Sequence, residues 1–223
     1  VLFLGPGFAS PARCLAALLP ALLAGVPHVA VARVAEDASP WPAPVLAGLE
    51  LAGQELAFAL SPGQAQELAA ELEGCCAPGA LLGLGWGAGQ GADGPELLRW
   101  SAPEWRVGAW APAGDWDWPG LAMAQAGCAC EVWLPPKADA APAEAAGLPV
   151  RRGGWDDFLA AGHAARLVPP ELARDALDAG ARLVLTPGLE GCWAWPGLTP
   201  HRFTHTGLAW AAALPAPPGP AQE

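Results

Sequence analysis

The chain has no tyrosine, one methionine and a single lysine, Lys137, and its 223 residues carry 11 basic against 22 acidic side chains. Proteins that grip duplex nucleic acid concentrate Lys and Arg on one face to neutralise phosphates. Here the basic residues are scattered singly, Arg151-Arg152 apart, on a chain of formal charge −11, which argues against a nucleic-acid partner. Long apolar runs are also missing. The longest, Leu15–Val26, is broken by Pro20 and falls well short of the ~20 residues that span a bilayer, so no membrane partner is expected. The opening VLFLGPG has no basic n-region and no A-x-A site behind an apolar run, which gives a signal peptide no support. Six cysteines (Cys14, Cys75, Cys76, Cys128, Cys130 and Cys192) are too few for the disulfide framework of a small secreted domain. A reducing cytoplasm, with free or metal-bound thiols, is the expected location.

What is present is apolar and heavily punctuated: 53% hydrophobic residues, 15% charged, with 28 glycines and 26 prolines between the apolar runs. The surplus of Ala, Gly and Pro reads as the codon usage of a GC-rich genome and carries no chemistry. The length suits one large domain or two small ones.

Short apolar runs of strand length alternate with helical segments. Strands are expected at Val1–Leu4, His28–Val34, Glu55–Leu60 and Ala80–Leu84, with helices over Pro11–Ala24, Pro44–Ala52 and Pro62–Glu73. Ser10-Pro11 and Ser61-Pro62 mark helix starts, a serine N-cap followed by a proline whose missing amide had no partner there. Pro20 falls inside the first helix and should bend or shorten it. The glycine-rich Gly85–Gly94 reads as a loop, and a strand at Trp105–Trp110 precedes a break at Ala111–Gly114, where the domain boundary is placed.

A second series follows: helix Trp116–Ala126, strand Ala129–Leu134, linker Pro135–Gly147, helix Trp155–His163, strand Ala165–Val168, helix Pro169–Ala179 and strand Arg182–Thr186. The expected architecture is therefore two consecutive α/β halves, residues 1–113 and 114–214, each with a mainly parallel sheet between helical layers. Residues 215–223, PAPPGPAQE, read as a disordered tail.

Glycine-rich turns between strands and helices can cradle a pyrophosphate, because backbone amides approach the anion closely. Gly5-Pro6-Gly7 and Gly83-Leu84-Gly85 are the candidates, although neither completes the six-position dinucleotide fingerprint and ordinary turns are the competing reading. Gln125, Cys128 and Cys130 near a helix end, with Cys192, His201 and His205 further along, form a candidate zinc set; buried core thiols are the alternative. Cys75-Cys76 has no C-x-x-C spacing to support a redox role. No G-x-S-x-G elbow is present, and Asp115, Asp117, Asp156 and Asp157 sit where helix capping explains them. Twelve tryptophans, several in or beside the expected loops, offer either ligand-stacking rings or boundary packing.

The order of these segments resembles histidinol dehydrogenase, of the aldehyde-dehydrogenase-like superfamily. The resemblance runs collinearly through Pro6–Val26, Pro44–Gly53, Ser61–Leu72, Gly83–Trp86, Asp117–Cys128, Asp178–Cys192 and Arg202–Leu208. It implies two Rossmann-like halves and oxidation of an amino alcohol with NAD, zinc holding the substrate. It also implies Gln125, Cys128 and Cys192 at the metal, while Gly5, Gly7, Gly83 and Gly85 of the two turns remain the cofactor candidates. The family's Glu-His pair falls on Glu171-Leu172, so the glutamate is kept and the base is not.

The expectation is a shortened, diverged member of the family, with dehydrogenase activity weak, altered or lost: a pseudoenzyme in the limit. The alternatives are an active NAD-dependent alcohol or aldehyde dehydrogenase with His201 or His205 as a shifted base, or a small-molecule or protein-binding module without catalysis. Loss of the family's peripheral segments would expose apolar surface, so a homodimer is a further expectation.

Overall fold

A computed structural model describes residues 1–36, 40–74, 79–87, 97–112 and 116–204. Within them the strands form two five-stranded sheets in which every pairing is parallel. The first contains β1 (Leu2–Leu4), β2 (Val31–Val34), β3 (Ala57–Leu60), β4 (Gly79–Leu84) and β5 (Leu97–Ser101), in the order β3-β2-β1-β4-β5. The second contains β6 (Val107–Trp110), β7 (Cys130–Leu134), β8 (Val150–Arg152), β9 (Ala165–Leu167) and β10 (Leu183–Leu185), in the order β10-β9-β6-β7-β8. Counted from its own first strand, each sheet has the same order. The expected pair of Rossmann-like α/β halves is the fold.

Burial follows the two-residue period of a strand covered on both faces. In β1, Leu2 and Leu4 pack with Cys14, Ala17 and Leu18 of α1 (Pro11–Leu23) and with Val45 and Leu49 of α2 (Ala43–Leu51). Phe3 points the other way, onto Ala65 and Ala69 of α3 (Pro62–Gly74). In β6, Val107 and Ala109 pack with Leu121 of α4 (Trp118–Ala124) and Ala143 of α5 (Ala141–Ala145). Trp110 lies on the opposite face with Phe158 of α6 (Trp155–Ala160) and Ala176 of α7 (Ala173–Asp178). No helix among the described residues is long and apolar enough to cross a membrane.

The helix starts follow the capping logic of the sequence. Ser61 and Gln64 cap α3 reciprocally, the Gln64 amide donating to Ser61 Oγ (3.2 Å) and the Ser61 amide to Gln64 Oε1 (3.0 Å). Asp117 Oδ1 accepts from the Gly120 amide at 2.9 Å and Asp157 Oδ2 from the Gly154 amide at 2.8 Å. Ser10 accepts from the Arg13 amide at 3.1 Å, and its hydroxyl also donates to Ala124 O at 2.5 Å, joining the start of α1 to the end of α4. Removing both bonds in Ser10→Ala should cost about 2 kcal/mol, at the upper end for a cap. Urea denaturation checks this, and an unchanged midpoint would refute it.

Several expectations change in the structure. The expected strand Trp105–Trp110 shortens to β6 and opens the second sheet, so the chain passes between sheets within Ala102–Arg106, ahead of the expected break at Ala111–Gly114. Two edge strands, β5 and β8, and the short helix α5 inside the expected linker go beyond the sequence reading. The expected helix Pro169–Ala179 splits into a 3-10 turn, Pro170–Leu172, and α7, as Pro169-Pro170 prevents a regular first turn. Helix α1 runs through the buried Pro20 to Leu23. The 215–223 tail, His205, Asp115 and Cys75-Cys76 lie outside the described residues.

Candidate functional site

In parallel α/β sheets a crevice opens at the carboxyl ends of the strands where the strand order reverses. In the first sheet this point lies between β1 and β4, and a cleft of about 360 Å³ sits there. Its edge begins with a tight turn: the Phe8 amide donates to Gly5 O (3.2 Å) across Pro6 and Gly7, with Gly7 at φ 76°. Proline followed by a left-handed glycine is the type II arrangement. The turn after β4 packs so closely that a Cβ on Gly5 would run into the Gly85 carbonyl. Gly7 and Gly85 therefore present backbone to the cleft, between the side chains of Pro6, Phe8 and Leu84.

The opposite wall comes from the second half. A turn after α4, closed by the Cys128 amide on Gln125 O (2.9 Å), brings Gly127 against the Gly7 carbonyl and places Cys128 on the cleft. The connection between the sheets adds Glu104, Trp105 and Arg106, and Trp195 comes from beyond β10. Both sheets thus contribute, the first by its carboxyl edge and the second by the segments leading into β6 and β7.

Arg13, in the first turn of α1, lines the floor and is 5% exposed. Its Nε and Nη2 donate to Gln125 Oε1 at 3.2 and 2.8 Å, its guanidinium stacks 4.2 Å from the Trp193 ring centroid, and Trp195 Nε1 donates to its backbone carbonyl at 3.1 Å. Burial lowers its pKa, against the opposing influence of the neighbouring thiols Cys128 and Cys130. Burial raises the Cys128 thiol, with Arg13 acting the other way through charge and a hydrogen bond, and pushes Cys130 up to about 12. A group with a raised thiol pKa is a poor nucleophile at neutral pH.

The second half places an acidic residue at the start of its first helix. Where α4 follows β6, the buried Glu190 carboxylate accepts the Asp117 amide (3.3 Å) and the Gly188 amide (2.8 Å). The start of α4 is thus met by Glu190 from beyond β10, whereas the start of α1 is met by Ser10 within its own turn.

The sequence candidates separate accordingly. Gly7, Gly85 and Cys128 line the cleft, Gly5 supports its turn, and Gly83 is held within β4 opposite Phe3 and Ser101. Glu171 is exposed in the 3-10 turn after β9 and His201 is exposed in the turn Pro200–Phe203; neither lines the cleft. Leu172 packs against the core formed by Trp110 and Phe158. Cys192 is an exposed free thiol. Of the tryptophans expected near loops, Trp105 and Trp195 reach the cleft, while Trp116 and Trp118 stack with each other in the second core.

The proposed metal set fits zinc poorly. The Gln125 oxygen that would coordinate the ion accepts two N–H bonds from Arg13, and the same cation bonds Cys128. A guanidinium occupies the electrostatic position that a zinc ion would need, and no group of three His, Cys, Asp or Glu among the described residues is placed to hold a metal.

Sequence reasoning missed Arg13, although a lone arginine in the first turn of an apolar helix without an acidic partner was a readable signal. It also missed a cluster at the N-terminal ends of the second sheet's strands. Glu131 Oε1 accepts from His163 Nε2 (2.7 Å), Trp133 Nε1 (3.0 Å) and Arg106 Nη2 (3.1 Å), and Oε2 from Arg151 Nε (2.6 Å). Arg106 ties this cluster to the cleft. Burial would raise Glu131, but the bonds from His163, Trp133 and Arg151 outweigh it and bring the carboxyl down to about 2. Burial lowers His163 below its ordinary value against the pull of Glu131, so its ring is neutral at pH 7. The chain matches no protein-family model, no curated protein and no solved structure.

Proposed function

We propose that this protein binds a small molecule of the nucleotide class in the cleft between its two halves, and that it is a diverged histidinol-dehydrogenase-like chain whose oxidation chemistry is weak or lost. The observation carrying the binding reading is the open crevice at the strand-order reversal of the first sheet, with Gly7 and Gly85 on its wall and Arg13 at its floor. Gly5, Gly7 and Gly85 from the glycine turns of the first half, and Gln125 and Cys128 of the second, lie around this one cleft. The same cleft lacks the groups that oxidation would need. Among the described residues no histidine lines the cleft, Leu172 stands where the family's base would be, and Gln125 is engaged by Arg13. The alternative with His201 as a shifted base has less support, since that ring lies outside the cleft.

Thermal unfolding with NAD, ADP-ribose and ADP tests the reading. A ligand at 100 times its dissociation constant adds about 2.7 kcal/mol to stability, a clear rise in Tm. NADH formation from amino alcohols should stay at background in the same samples. An unmoved Tm with every nucleotide would reject the binding site, and steady turnover would reject the loss of catalysis.

A further inference from the structure

We infer that the floor of the cleft is a recognition site for one acidic group of the ligand, a phosphate or carboxylate, held by Arg13, Gln125 and Trp193 across the joint between the two halves. This deepens the proposed function and rests on the cleft being the ligand site.

The hydrogen-bonding inventory at the floor is one-sided. Gln125 Oε1 is an acceptor and is already used twice by Arg13. Two side chains that touch Arg13 carry donors left over: Gln125 Nε2 and Trp193 Nε1 are buried and find no partner among the described residues. Trp195 Nε1, two residues along, is satisfied by Arg13 O. The Gln125 orientation is set by Arg13, which can only donate, so turning the amide over would set donor against donor.

Charge points the same way. Arg13 is nearly inaccessible, yet its guanidinium is met by an amide oxygen, a thiol and aromatic rings, and no carboxylate within salt-bridge distance of it is found among the described residues. Buried cations are ordinarily paired with an anion. Its thiol neighbours keep their protons at neutral pH and supply no charge. The missing partner is thus an acceptor carrying negative charge. Because Arg13 starts α1, Gln125 ends α4 and Trp193 follows β10, such a group would pin three distant segments together. The other deeply buried arginine, Arg166, differs in donating to three backbone carbonyls, those of Ala176, Leu159 and Ala179.

The test uses the full chain with inorganic phosphate, AMP and adenosine as probes, read by Tm and by tryptophan fluorescence. AMP should bind at least tenfold more tightly than adenosine, with inorganic phosphate raising Tm by itself. Phosphate binding as tightly as AMP would identify the free ion as the ligand, and AMP binding far more tightly would identify a phosphate borne on an organic molecule. Trp193→Phe keeps the ring over Arg13 and removes only the N–H, and should weaken AMP at least tenfold. Gln125→Glu places a carboxylate in the chain itself. It should raise Tm without ligand and abolish the response to phosphate and AMP, a result that does not require a destabilised variant. Equal binding of AMP and adenosine would overturn the acidic-group site while leaving the cleft reading intact. Failure of all three probes would remove both, and an undiminished AMP response in Gln125→Glu would overturn the inference outright.

Discussion

Glu131→Leu should destabilise the protein by about 3 kcal/mol at pH 7, because leucine removes the one acceptor on which four donors converge. The exposed arginines, Arg106 and Arg151, recover water and lose little. The cost falls on the inner donors. His163 is fully buried, its Nδ1 already has no partner among the described residues, and without Glu131 its Nε2–H would have none either. The Trp133 N–H loses its acceptor as well.

The same cluster sets an acid response. Glu131 titrates near 2 when folded and near its ordinary 4.5 when unfolded, so its contribution is present in full above 4.5 and is lost as pH falls from there through 2. His163 is depressed below 6.5 in the fold, so the unfolded chain takes up that proton first and stability declines as pH drops below 6.5. Chemical denaturation of parent and variant between pH 8 and pH 3 checks both statements. The gap between them should narrow below pH 4.5, and a gap that stays constant to pH 3 would refute the role given to Glu131.

Gly108→Ala is expected to cost a similar amount, about 3 kcal/mol, or roughly 9 °C in Tm for a chain of this size. Gly108 lies in the middle of β6, paired with Glu131 on one side and Arg166 on the other. An added Cβ would come within 2.5 Å of His163 Nδ1 and 2.7 Å of Phe158 Cε2. Both rings are fully buried and stacked on each other with centroids 5.3 Å apart, so neither can retreat without opening the core or breaking the His163–Glu131 bond. Calorimetry of the variant decides the point: a Tm within 2 °C of the parent would show that the rings yield freely. Alanine at Gly63, where only Ser61 Oγ lies at 4.0 Å, is the matched control expected to be silent on packing grounds.

The central strands were legible in the sequence because strands buried on both faces are written as mainly apolar runs, unbroken in β1 and β6 and carrying a single buried arginine, Arg33 or Arg166, in β2 and β9. Edge strands lack that signature. β8 is largely Arg151-Arg152 and reads as a polar connection, and β5 is a short run interrupted by Arg99, although the sheets recruit both by backbone pairing. The caps at Ser10, Ser61, Asp117 and Asp157 were readable because each is local, spanning three residues. Half of the cleft was readable for the same reason, since Pro6-Gly7 specifies its turn within four residues.

From its order of residues alone the protein determined its longer helices, its inner strands, and that two parallel halves follow one another. These outcomes depend on periodicity and capping, which act over a few residues. Tertiary structure alone decided that Arg13 meets Gln125 across 112 positions, that Glu131 meets His163 across 32, and that Gly127 rests on the Gly7 turn. Those meetings follow from where two sheets place the ends of distant strands. No local pattern encodes such a distance, because the free energy that holds each pair resides in groups that only the completed fold brings together.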